Sequence, residues 1–189
     1  RSPLFSIKAN GQEVFTEQGH FLVLGTPKGH KVSSKDLTEV VKQANDIGAG
    51  TIAIHPYLEG TGRYLEKHPE LLDQIDSIEI YNASLELFSL LGKNYNGLTK
   101  RLFVHGLHHE LGCCAFTDGH SISSIGTSYT MIPKLDITDS ETLRKSIKTA
   151  LEQTIKKEHL VKNPAVIDSF VHGVQLYGWV AKEKILRRR

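Results

Sequence analysis

Cysteine is scarce in this 189-residue chain: there are two, Cys113 and Cys114, side by side. Neighbouring residues rarely have the geometry for a mutual disulfide, so no cross-linked framework is expected. Two thiols without a framework point to a reducing compartment. Long hydrophobic runs are missing too. No apolar stretch approaches the roughly 20 residues needed to span a bilayer, and the first residues lack the pattern of a signal peptide. Charge of one sign is not in excess either. The formal net charge of +2 is too small to draw a nucleic acid by itself. No internal repeat or low-complexity stretch is visible. Together these absences predict a soluble, cytoplasmic protein with no membrane partner.

What is present is ordinary in bulk and unusual in one residue type. With 39% hydrophobic and 23% charged residues, the chain can bury a core as one domain, or as one domain with a helical extension. Ten histidines are the exception, because several of them border apolar runs rather than lying among surface polar residues. Short strands are predicted over residues 11–16, 21–24, 51–54, 77–81, 111–116 and 126–131, each bounded by turn-forming residues. Between them, Leu37, Val40, Val41 and Ala44 form a helical stripe behind Ser34 as N-cap. Further helices are expected over residues 62–73, 84–93 and up to about 102, and a long one from 140 to 157 capped by Ser140. Asn163-Pro164 opens a last helix to Arg189. Alternating strands and helices with short connections predict parallel strands joined by right-handed crossovers. In such sheets the chemistry gathers at the C-terminal ends of the strands.

The histidines fall at those ends. His55 and the Asp118-Gly119-His120 stretch each follow directly on an apolar strand. Residues two apart on a strand point the same way, so Asp118 and His120 share a face if the strand continues through them. A carboxylate and an imidazole projected together suit a divalent transition metal. Glu13 and His20 flank another turn and can converge on the same place. Singly, each histidine also reads as a polar residue capping its strand. Three in one pattern with two carboxylates read as metal ligands.

Four blocks carry the pattern further. They are Gly11-Gln12-Glu13 with Gly19-His20-Phe21-Leu22-Val23-Leu24-Gly25, then Ile52-Ala53-Ile54-His55-Pro56. Asp76-Ser77-Ile78-Glu79-Ile80-Tyr81-Asn82-Ala83 and Phe116-Thr117-Asp118-Gly119-His120-Ser121 follow. In this order, over residues 11–135, they resemble the polymerase and histidinol phosphatase (PHP) family. The resemblance implies an α/β fold, a distorted seven-stranded TIM-like β/α barrel. It implies two or three divalent metal ions (Mn, Zn or Fe) and hydrolysis of a phosphoester by a metal-activated water. Its substrate would be a small phosphorylated metabolite, a nucleotide or a nucleic-acid end. Carried over by the resemblance, Glu13 bridges two metals, and His20 and His55 are terminal ligands of one of them. Asp118 helps to hold a second metal and His120 faces a third. Glu13, His55 and Asp118 would carry the catalysis, while Glu79 and Asn82 would shape the barrel or its phosphate pocket.

The chain departs from the family pattern at its start. A His-x-His pair on the first strand, then an Asp and a further His, should precede the glutamate, and only twelve residues stand before Glu13. The barrel is therefore expected to be incomplete at its N-terminus by about two β/α units, on the order of 60 residues. A longer parent chain or a partner chain would supply them, since a barrel short of two units leaves open strand edges. A degenerate, non-catalytic PHP-like module that binds a phosphorylated ligand or a protein partner is the alternative.

Weaker candidates surround this set. Arg63 and Lys100-Arg101 could meet a substrate phosphate, and equally read as exposed charges. His105, His108 and His109 sit outside the family pattern and read as a surface turn. Cys113 and Cys114 lie inside a strand and read as packing. The barrel is expected over residues 1–158, with a linker near 158–163. A basic amphipathic helix over 159–189, packed on the barrel, would follow, placing Val166, Ile167, Phe170, Val174, Tyr177 and Val180 at helical spacing.

Overall fold

Two residues, Glu17 and Gln18, separate the first strand β1 (Gly11–Thr16) from the second, β2 (Gly19–Leu24). So short a connection can only turn the chain back, and the two strands pair antiparallel, with Phe15 opposite His20 and Glu13 opposite Leu22. The computed structural model describes residues 9–90, 92–106, 111–119, 124–155 and 160–162. The connection after β2 runs back to the hairpin, where Glu17 N–H donates to Lys35 O at 2.8 Å and Leu37 N–H to Gln18 Oε1 at 3.0 Å. Helix α1 (Leu37–Asp46) therefore starts at the hairpin end, and β3 (Gly50–Ala53) pairs antiparallel to β2, Gly50 opposite Leu24.

From β3 to β5 the expected parallel order holds. The segment α2 (Pro56–Glu59), α3 (Thr61–Lys67) and a 3-10 turn leads to β4 (Ser77–Asn82). Helices α4 (Glu86–Leu90) and α5 (Tyr95–Gly106) lead to β5 (Gly112–Phe116). Strands β3, β4 and β5 are parallel neighbours, with a register shift between Glu79 and Tyr81. The sheet is five-stranded, in the order β1-β2-β3-β4-β5, and it is open. Strands β6 (Ser128–Thr130) and β7 (Leu160–Lys162), flanking α6 (Ser140–Glu152), pair with each other in a separate sheet. Thr130 links the two sheets: its Oγ1 accepts from Ala115 N–H at 2.8 Å and donates to Ala115 O at 3.1 Å. A seven-stranded barrel is not seen among the described residues, and neither sheet is closed. Among the described residues there are an open sheet and a two-stranded one, and two of the strand pairings that the alternating pattern read as parallel are antiparallel.

Each face of the sheet has its own cover. On one, Val14, Phe21, Val23, Ala53, Ile78, Ile80 and Cys113 pack against α1, α3 and α5. The α1 stripe of Leu37, Val40, Val41 and Ala44 is buried there. Each large apolar side chain so buried is worth about 1.5–3 kcal/mol. On the other face Ile52, Ile54 and Cys114 meet Ile147 and Leu151 of α6. That helix comes so near the start of β5 that a Cβ on Gly112 would lie 2.0 Å from Leu151 O, so only glycine fits. Among the described residues helix α6 covers one end of this face and not the other.

Helix caps differ from expectation by a residue or two. Asp36, not Ser34, caps α1 by accepting from Thr38 N–H at 2.7 Å. Asp139 rather than Ser140 caps α6, accepting from Glu141 and Thr142. In both cases a carboxylate stands nearer the first free N–H groups than the serine does. Leu160–Lys162, inside the stretch read as a linker, is a strand. The terminal helix expected beyond it lies outside the described residues. Among the described residues no helix is long and apolar enough to cross a membrane.

Candidate metal centre

The open end of that second face collects the polar side chains. Glu13 and Phe15 alternate with buried Val14 on β1, so both point away from the first core. His20 on β2 points the same way, diagonal to Glu13 across the hairpin. Its Nδ1 stands 2.7 Å from Glu13 Oε1, and its Nε2 stands 2.7 Å from Glu59 Oε2. The Phe15 ring packs edge-on against His20 with centroids 4.2 Å apart, yet it remains 59% exposed.

His55 arrives from the other side, directly after β3. Its backbone is left-handed (φ 26°, ψ 54°), which is costly for a residue with a Cβ. Pro56 opens α2 and favours an abrupt start of the helix. The bend is held by a buried acceptor, because His55 N–H donates to Glu79 Oε2 on β4. His55 Nε2 then lies 3.7 Å from Glu13 Oε1, and the His20 and His55 rings meet at 5.3 Å. His55 Nδ1 is buried without a hydrogen-bond partner.

Glu79 occupies the middle of this end. It is 2% exposed, and burial above all pushes its carboxyl well above the usual range, with the Asp118 and Glu13 carboxylates adding to the rise. The His55 N–H and the Asn82 amide pull against that shift. Asp118 lies just past β5 with a left-handed backbone, φ 51°. Its Oδ2 accepts from Asn82 Nδ2 at 3.2 Å, and Ser84 Oγ donates to its carbonyl at 2.8 Å.

Glu13, His20 and His55 each offer one donor atom, and the three lie within 4.8 Å of one another. A lone-pair donor on Glu13 and one on His20 at 2.7 Å repel unless a positive charge, a proton or a cation, stands between them. Two imidazoles and a carboxylate are a donor set for Zn, Mn or Fe. The residues therefore fit a divalent metal.

Comparison with known proteins bears on the fold. No family model matches the sequence, and no curated protein does. A crystal structure from Bacteroides vulgatus matches 80% of the chain with a TM-score of 0.52 and 15% identity. It is of a two-domain protein containing a predicted PHP-like metal-dependent phosphoesterase. The likeness is one of fold. The chain spans 43% of the length of that protein.

The structure thus brings Glu13, His20 and His55 together; Asp118 is not among those three, and its charge, like that of Glu13, acts on Glu79. Arg63 is exposed on α3, where its charge and that of Arg101 act on Tyr57. His120, His108 and His109 lie outside the described residues, as does the side chain of His105. Two participants escaped the sequence reading. Glu59 sits four residues beyond His55 in a stretch that reads as a glycine-rich loop. Phe15 reads as one more apolar strand residue, and only its pairing with His20 marks it. An open cleft of about 450 Å³ along β1 is lined by Glu13, Phe15, Lys31 and Lys35.

Proposed function

We propose that the protein is a metal-dependent phosphoesterase acting on a small phosphorylated metabolite, a nucleotide or a nucleic-acid end. The observation that carries this is the Glu13–His20–His55 cluster at the open end of the sheet, in a fold like that of a PHP-like phosphoesterase. Glu13, His20 and His55 would hold the ion. A divalent cation bound there supplies Lewis-acid charge and activates water at neutral pH. The chain's own groups hold that arrangement. Glu79 fixes the bend that presents His55. Lys31 and Lys35 line the same cleft as Glu13 and give it a cationic wall for an anionic substrate. A cysteine nucleophile is not needed. Cys113 and Cys114 are buried, and burial pushes the Cys114 thiol up to about 12.

Phosphate release from p-nitrophenyl phosphate and a panel of nucleotides, with Mn²⁺ or Zn²⁺, tests the reading. It is run on the chain and on a longer version carrying the upstream segment that the family pattern calls for. Activity should need the metal, stop with a chelator and drop to background in His55→Ala. Hydrolysis indifferent to chelator, or to His55→Ala combined with Asp118→Ala, would sink it. Metal binding without hydrolysis in both versions would instead support the non-catalytic module.

A further inference from the structure

The two histidines of the cluster are held differently. His55 is fixed through its backbone, and its second ring nitrogen has no partner. His20 is fixed through its ring, with Glu13 on one nitrogen and Glu59 on the other. A neutral imidazole carries one N–H and one lone pair, and whichever nitrogen faces a permanent acceptor keeps the proton. Glu13 and Glu59 are both such acceptors, and a cation drawn between Nδ1 and Glu13 displaces any proton there and leaves the ring's proton to Glu59. Glu59 lies on the far side of the ring from Glu13 and is not among the three residues whose donors converge.

We propose that Glu59 is a positioning residue for the metal centre: it holds the Nε2–H of His20, so that the Nδ1 lone pair faces Glu13 and His55. This rests on the metal-dependent reading above. Its support is the seating of the junction between α2 and α3 on the hairpin. Thr61 Oγ1, two residues past Glu59, donates to Gln18 O at 3.1 Å and to His20 O at 3.3 Å. The hairpin comes so near that a Cβ on Gly19 would lie 2.5 Å from Thr61 Oγ1, and Gly19 itself has φ +123°. The one-turn helix after His55 therefore does two jobs. It follows one ligand and, at its other end, carries the carboxylate that orients the other. A carboxylate behind a ligating histidine is a recurrent arrangement, and its loss weakens metal binding about 10- to 100-fold.

Calorimetric titration of Zn²⁺ and Mn²⁺ into the metal-free protein tests this, together with ¹⁵N NMR of the His20 ring near pH 8. Glu59→Ala should raise Kd by about 10- to 100-fold and should lose the Nε2–H tautomer. Glu59→Gln keeps an acceptor and should retain most of both. In a His20→Ala background, Glu59→Ala should change Kd no further, because its effect runs through His20. An unchanged Kd and tautomer in Glu59→Ala would overturn the proposal. So would a second loss of affinity in the His20→Ala background, which would make Glu59 a direct ligand. If the unaltered protein binds neither ion, it is the metal-dependent reading that fails. The tautomer of the metal-free ring still decides the role of Glu59.

Discussion

Two buried carboxylates three residues apart meet opposite fates. Asp76, just before β4, is fully answered. Its Oδ2 accepts from Thr51 N–H at 2.7 Å and Thr51 Oγ1 at 2.9 Å, and Lys148 Nζ reaches Oδ1 at 2.5 Å. Lys148 also donates to Asn45 at 3.1 Å, tying α6 to the end of α1. Glu79, within β4, is equally buried, and the charges acting on it are two more carboxylates. At the starts of the parallel strands the chain supplies its own cation. At their ends it gathers Glu13, Glu79, Asp118 and two histidines, and among the described residues no lysine or arginine pairs with Glu79. One end is finished as protein, while the other is the end that a cation would complete under the proposed function.

The sharpest way to break this comparison is to remove the internal cation. Lys148→Met leaves Asp76 buried with Thr51 alone. Breaking such a pair from one side is expected to cost about 3 kcal/mol in urea unfolding. Metal affinity of the folded fraction should not move. A shift in Kd along with stability would mean that the two ends are coupled and that the contrast between them is false.

The external cation should act in the mirror sense. At free metal 100 times Kd, a ligand bound only by the folded state stabilises it by about 2.7 kcal/mol. We expect the unaltered protein to gain that much in thermal or urea unfolding with Zn²⁺ or Mn²⁺. His55→Ala should gain almost nothing while its metal-free stability stays close to the original. An equal gain in both would place the ion elsewhere.

Much of this was legible along the chain, and what was not is instructive. The α1 stripe and the strands at 51–54, 77–81 and 111–116 follow from local periodicity, and the structure buries those residues. That Glu13, His20 and His55 meet could be read because each stands at a turn or strand end with a recognisable neighbour. The antiparallel hairpin was on the page as well, in the two residues between Thr16 and Gly19, but the alternation of strand and helix read as parallel overrode it. Other features leave no local trace. Lys148 and Asp76 are 72 positions apart. Glu59 matters only because Thr61 docks on Gln18 and His20, more than 40 positions back. The Glu17–Lys35 and Gln18–Leu37 contacts that bring the connection after β2 back to the hairpin follow from no spacing rule.

The smallest effect is also the most direct reading of the unfinished end. In the unfolded chain Glu79 ionises near 4.5, and in the folded, metal-free protein burial first, then Asp118 and Glu13, keep it protonated to higher pH. Between those values the unfolded state has released a proton that the folded state retains. The raised acid therefore costs nothing below about pH 4 and costs stability as pH rises above it. Glu79→Gln cannot ionise and still accepts from His55 N–H. With chelator present, its stability relative to the unaltered protein should be lowest at pH 4 and should improve on the way to pH 7. Added metal should narrow the difference at pH 7, because a cation beside Glu13 favours the ionised carboxylate. A difference independent of pH would show that Glu79 already has a positive partner in the metal-free protein, and the two ends of the sheet would then be alike.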